Sequence, residues 1–121
     1  ARATPPAIPD GPAVDRTLLA EIGEEIGEHG LMETLAIFFR DAERRIALFR
    51  CLIDDPDPEL LEMEAHSLKG AASTFGLTEI AQIARAIEQQ APGIAPDALR
   101  PLLERLEQAL RRASEALDEA P

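Results

Sequence analysis

The residues best suited to chemistry are His66, Lys69, Gly70 and Ser73, which lie close together in a chain of 121 residues. A neutral imidazole that faces solvent can attack a phosphoryl group through a ring nitrogen. Lys69 lies one helical turn after His66 and offers an ammonium to an anion on the ring. We therefore interpret this cluster as a candidate site for reversible phosphoryl transfer. The plain alternative is a surface histidine beside a solvated lysine.

The segment around His66 is predicted to be a helix that turns the histidine away from the core. Helical spacing places five apolar residues on one face: Leu61, Ala65, Leu68, Ala72 and Phe75. At about 100° per residue, His66 points roughly 140° away from that face, and Ser73 shares its side. Glycine within a helix costs about 1 kcal/mol relative to alanine. Gly70, one turn after His66, therefore suggests a patch cleared for another molecule.

Apolar residues recur at helical spacing along most of the chain, and proline and glycine divide it into five predicted helices. These run over about 15–27, 31–53, 58–75, 78–91 and 97–117, with a break between Gly27 and Gly30. Pro101 allows the last helix to begin as late as Arg100. The pattern indicates an all-α fold, an antiparallel up-down four-helix bundle with a short additional N-terminal helix. Residues 1–14 are rich in proline and are predicted to be a linker or disordered lead-in, which leaves 15–121 as the domain.

Composition and charge exclude several functions. The net charge of -11 argues against nucleic-acid binding, which needs a basic surface. No apolar run approaches the ~20 residues that span a bilayer, so we expect no membrane insertion. No glycine-rich phosphate loop is present, and two histidines with one cysteine argue against a metal site. Cys51 is predicted to be buried, and a lone cysteine fits a reducing cytoplasm.

Residues 65–77 carry a motif: Ala-His-Ser-Leu-Lys-Gly-Ala-Ala-Ser-Thr-Phe-Gly-Leu. This run resembles, without a gap, the signature of the histidine-containing phosphotransfer (HPt) domains of bacterial two-component phosphorelays. The helix at 15–27, the acidic loop after residue 53 and the Ile87-Glu88 step are similar to the family as well. The resemblance covers about residues 15–117.

The resemblance implies a role for each residue of the cluster. His66 would be phosphorylated on Nε2, Lys69 would help to balance the phosphoryl charge, and Gly70 would allow close docking. Family members often have glutamine at the position of Glu88, where it hydrogen-bonds the other ring nitrogen. Glutamate here could accept a hydrogen bond from Nδ1–H, and a plain surface glutamate is the alternative. Ser73 could contact a phosphoryl oxygen or the partner.

The implied function is that of a phosphorelay intermediate, a carrier and not an enzyme with its own ATP site. It would accept a phosphoryl group from a receiver-domain aspartate and pass it to another receiver. The implied partners are response-regulator receiver domains and a sensor or hybrid histidine kinase. The chain would have no cofactor of its own, because Mg²⁺ is expected on the receiver. We expect a cytoplasmic monomer.

Two alternatives stay open on the sequence alone. The chain is also similar to the phosphotransfer domain of a chemotaxis-type histidine kinase, which an ATP-binding domain phosphorylates. The Ser73-Thr74-Phe75-Gly76 segment resembles those domains. The other alternative is a helical adaptor in which His66 is never phosphorylated.

Overall fold

Five helices make up the described part of the chain, residues 14–118 of a computed structural model. They are α1 (Arg16–Ile26), α2 (Glu28–Asp54), α3 (Pro58–Thr74), α4 (Thr78–Gln90) and α5 (Pro96–Asp118). Each of α2 to α5 contacts the next, and α5 returns to α2, so these four helices close a ring. The predicted all-α bundle is confirmed, with α1 as the short additional helix packed against α2.

Local sequence signals set both ends of α3, the helix that carries His66. The Asp57 side chain accepts a hydrogen bond from Leu60 N at 3.1 Å, which caps the first turn, and Pro58 occupies the first helical position. At the other end Gly76 adopts φ +67, the left-handed conformation that often ends a helix. His66 therefore lies in the middle of a helix with two defined ends.

Most predicted helix ends agree with the structure to within one residue, but the start of α2 and the late alternative for the start of α5 do not. α2 begins at Glu28, earlier than the predicted residue 31, because Gly27 alone forms the break, with φ +84. Gly30 lies inside α2, where its carbonyl accepts a hydrogen bond from Thr34 Oγ1 at 2.7 Å. α5 already begins at Pro96 and continues through Pro101. The amide that proline lacks would have bonded the carbonyl of Asp97, which lies in the exposed first turn, so water can satisfy that carbonyl.

The prediction that Cys51 is buried is wrong, because the structure exposes it. The apolar stripe of α2 passes through Phe49, Leu52 and Ile53, all buried. Position 51 lies on the opposite side of the helix from this stripe. The regular helix continues to Asp54, so nothing turns the thiol inward.

The core is apolar throughout the described residues, with no buried polar or charged residue. Its largest fully buried side chains come from all four bundle helices and the α3–α4 turn: Phe49, Leu68, Leu77, Ile80, Ile83, Ile87, Leu99, Leu103 and Leu106. No described helix is long and apolar enough to cross a membrane.

The start of α1 is fastened to the end of α3. Asp15 N donates to Gly76 O in the turn after α3 at 2.7 Å, and Arg16 Nη2 donates to Ala116 O on α5 at 3.1 Å. Val14, which the sequence assigned to the lead-in, is 5% exposed and packs in the core. Residues 1–13 of the predicted lead-in lie outside the described residues. The start of α1 therefore packs against the C-terminal end of α3, the helix that carries His66.

Gly76→Ala should destabilise the bundle more than Gly93→Ala. Both glycines have positive φ, +67 and +82, so either alanine costs about 1–2 kcal/mol of backbone strain. A Cβ at Gly76 would also lie 2.8 Å from Asp15 Cβ, whereas one at Gly93 meets nothing within 4 Å. We expect an additional loss of about 1 kcal/mol or more for Gly76→Ala, measured by urea unfolding. Equal losses of unfolding free energy in the two variants would show that a Cβ at residue 76 does not clash with Asp15.

Candidate functional site

His66 lies on the solvent side of α3, as the helical wheel predicts. Leu61, Ala65 and Leu68 on the opposite side are buried, whereas the His66 side chain is 67% exposed. An imidazole in this position is open to another protein.

One carboxylate connects His66 to Lys69. Glu88 lies on α4, and its side chain is 18% exposed. Its Oε2 lies 2.6 Å from His66 Nδ1, and its Oε1 accepts a hydrogen bond from Lys69 Nζ at 2.6 Å. Ala84 and Ile87 on the same helix are buried, so Glu88 occupies the edge where α4 meets α3. We call His66, Lys69 and Glu88 the charged triad.

The hydrogen bond from His66 Nδ1 to Glu88 fixes which ring nitrogen of His66 is available. An ionised carboxylate can only accept, so Nδ1 must carry the proton that it donates to Glu88. The neutral ring then has its lone pair on Nε2. None of the described residues contacts Nε2 within hydrogen-bond distance. The ring nitrogen that keeps its lone pair therefore has no partner among residues 14–118.

The pKa of the Glu88 carboxyl is lowered from its ordinary value. The hydrogen bond from Lys69 is the largest cause, and it outweighs the opposing effect of partial burial. The hydrogen bond from His66 and the electrostatic interactions with Lys69 and His66 lower the pKa further. Glu88 is therefore ionised at neutral pH, as the Nδ1–H contact requires.

Gly70 and Ser73 leave open space beside the imidazole. Gly70 is exposed, and a Cβ added to it would meet no other atom within 4 Å. Packing within the chain therefore does not require glycine at this position. Ser73 is also exposed, and its hydroxyl has no partner among residues 14–118. The structure thus brings all five predicted site residues to one face, although Ser73 makes no contact with the charged triad.

Within residues 14–118, no group of three or more histidine, cysteine or acidic side chains is arranged to hold a metal ion.

Comparison with known proteins identifies the family. The family model for the Hpt domain matches residues 33–120. The chain belongs to the Hpt domain family. Membership gives this Hpt domain a histidine phosphotransfer role in two-component systems. Hpt domains as a family are phosphoryl carriers rather than enzymes with an ATP site of their own.

A solved structure has the same fold as this Hpt domain. It is the crystal structure of histidine-containing phosphotransfer protein B (HptB) from Pseudomonas aeruginosa PAO1, with a TM-score of 0.75 and 23% sequence identity. The match covers 92% of this chain and 100% of that chain. No curated protein matches the sequence.

The sequence did not predict the contact between Lys69 and Glu88. Lys69 was expected to face an anion on the ring, and in this Hpt domain it is bound to the carboxylate that also holds the ring. The two residues lie on different helices, 19 positions apart, so no pattern within one helix reveals the pair. The packing of α3 against α4 is what brings Lys69 and Glu88 together.

Lys69→Met should raise the pKa of Glu88 more than His66→Gln does, because Lys69 makes the larger contribution. The carboxyl pKa can be followed by ¹³C NMR titration of the three proteins. A lowered carboxyl pKa stabilises the fold above the ordinary glutamate pKa of about 4.3, and this contribution disappears as the pH falls through the folded value. The advantage of wild type over Lys69→Met should therefore shrink in acid. An unchanged Glu88 pKa in the Lys69→Met variant would contradict the hydrogen bond between Lys69 and Glu88.

Proposed function

We propose that this Hpt domain is a phosphorelay intermediate that accepts a phosphoryl group on His66 Nε2 from a receiver-domain aspartate and passes it to another receiver. One observation carries the proposal: the His66 side chain is 67% exposed with no described partner at Nε2, while ionised Glu88 lies 2.6 Å from Nδ1. A ring held in this way is a ready nucleophile that still needs a donor. We propose that the domain acts as a monomer in the cytoplasm, downstream of a sensor or hybrid histidine kinase.

The transfer step needs no base on this chain. Nε2 attacks phosphorus and forms the N–P bond, while the bond from phosphorus to the aspartyl oxygen breaks and its electron pair stays on the departing carboxylate. Nε2 carries no proton to lose, so the Nδ1 proton stays in place and the ring becomes cationic. Glu88 then faces a full positive charge, which stabilises the phosphorylated ring. The same steps in reverse deliver the phosphoryl group to the next receiver.

Lys69, Gly70 and Ser73 assist this step in different ways. The phosphoryl oxygens attract the Lys69 ammonium, which already lies beside the ring through Glu88. Gly70 lets the receiver approach the imidazole, and the free hydroxyl of Ser73 can donate to a phosphoryl oxygen or to the receiver. Mg²⁺ would be held by the receiver, where it would help to neutralise charge on the phosphoryl group.

A second candidate donor is an ATP-binding kinase domain, as in chemotaxis-type systems. The Ser73-Thr74-Phe75-Gly76 segment favours it, and an exposed Nε2 would serve either donor. Incubation with a panel of phosphorylated receivers and of kinases with ATP separates the two, because only the true donor labels the chain rapidly.

His66→Gln should abolish labelling by a phosphorylated receiver, whereas His29→Gln should leave it unchanged. His29 is the only other histidine of the chain, and its side chain is 90% exposed, which makes it a matched control. The label on wild type should be acid-labile and stable to alkali, as a phosphoramidate is. Label that persists on His66→Gln would refute the assignment. Partner binding that survives His66→Ala, with no transfer from any donor, would favour the adaptor.

Gly70→Ala and Gly70→Trp should separate stability from access. Alanine fits without a clash and should raise the free energy of unfolding by up to about 1 kcal/mol. Tryptophan should also fold, because the site is open, but it should slow transfer strongly by keeping the receiver away from Nε2. Urea unfolding and rapid-quench transfer measure the two effects. Normal transfer in Gly70→Trp would show that the receiver does not approach over residue 70.

A further inference from the structure

Most cationic side chains in the described range have a partner, but four arginines do not. Lys69 and five arginines form ion pairs, and Arg16 donates to a carbonyl. Within residues 14–118, the arginines without an ion pair are Arg40, Arg85, Arg105 and Arg111. A cation without a partner, on a chain of net charge -11, is available to a partner molecule.

Arg85 is the one that lies on the same face as His66. It is exposed on α4, one turn before Glu88, and on the wheel it lies about 60° beyond Glu88 on the side away from buried Ile87. Since α3 and α4 run antiparallel with Glu88 level with His66 and Lys69, Arg85 lies level with residues 69 to 72, beside Gly70. Arg85 and His66 therefore both point outward beside the α3–α4 junction.

The acid closest to Arg85 along α4 is Glu88, and the two do not form an ion pair in the structure. Glu88 is three residues on, a spacing at which ion pairs form in helices. Both of its oxygens are already engaged, one by His66 and one by Lys69. The charged triad thus leaves the Arg85 guanidinium free.

Charge is divided along the His66 face. Towards the start of α3 this face carries the exposed acids Glu59 and Glu62. Towards its end it carries Gly70 and Ser73, with Arg85 beside Gly70. The site therefore has an acidic side and a basic side, and a docked partner meets the two differently.

We propose that Arg85 is a docking residue that pairs with the acidic surface around the receiver's phosphoaspartate and so orients the receiver over the C-terminal half of α3. This rests on the proposed function. A phosphoryl group on aspartate is anionic, and the Mg²⁺ that accompanies it is held through carboxylates, so the donor surface is acidic. A chain of net charge -11 repels such a surface except where a local cation attracts it.

Arg85→Glu tests the proposal against Arg111→Glu, a matched control with the same change of charge. Arg111 is exposed on α5 and lines the groove between α2 and α5, away from the α3–α4 junction. The donor is the receiver domain that labels wild type fastest, phosphorylated with labelled acetyl phosphate in MgCl₂. Rapid quench gives the second-order rate constant of transfer and its limiting rate at saturating receiver, at low and at high salt. Circular dichroism checks the fold of each variant.

For Arg85→Glu we expect the second-order rate constant to fall about tenfold below that of wild type at roughly 50 mM salt. The difference between the two proteins should be smaller at roughly 500 mM salt, because salt screens exposed charges. The limiting rate should stay within about twofold of wild type, and Arg111→Glu should match wild type throughout. Equal rate constants for the two variants, or a loss in Arg85→Glu that does not depend on salt concentration, would overturn the role of Arg85. Either result would leave the proposed relay function intact. Failure of every receiver to label wild type would instead overturn the proposed function and this inference with it.

Discussion

The bridge that Glu88 forms between His66 and Lys69 is the contact on which the site depends. It exists only because α3 and α4 are aligned so that one carboxylate reaches both side chains at 2.6 Å. A shift of one residue would move the carboxylate by about 1.5 Å along the helix and turn it by about 100°, out of reach of the ring. The distances within the site are therefore set by how α3 packs against α4.

Small residues between α3 and α4, and a hydrogen bond at the turn that joins them, fix that alignment. Ala65, Ala72 and Ala84 are all 0% exposed, which lets α3 and α4 approach closely over their shared length. The turn that joins them is held by α1 through the hydrogen bond from Asp15 N to Gly76 O. An apolar core has no directional bonds of its own, so the shapes of its side chains and this fastened turn hold the register.

Much of the fold follows from spacing along single helices, which a sequence shows directly. The apolar stripe of α3 correctly predicts that Leu68 is buried and that His66 is exposed, and the proline and glycine signals correctly divide the chain. The errors arise where a local signal was given the wrong weight. Gly30 does not break α2, and Cys51 lies off the apolar stripe. The contacts between Lys69, Glu88 and His66 depend on how two helices align, and that alignment is a property of side-chain packing across the whole bundle.

The fixed Nδ1 proton has a thermodynamic consequence for the proposed carrier. A phosphorylated ring that keeps this proton beside ionised Glu88 remains a good leaving group, so the N–P bond keeps much of the transfer potential of the acyl phosphate from which it came. In the proposed relay each exchange with a receiver is therefore reversible. On this chemistry the domain does not choose the direction of flow. The relative amounts of phosphorylated and unphosphorylated receivers on either side determine it.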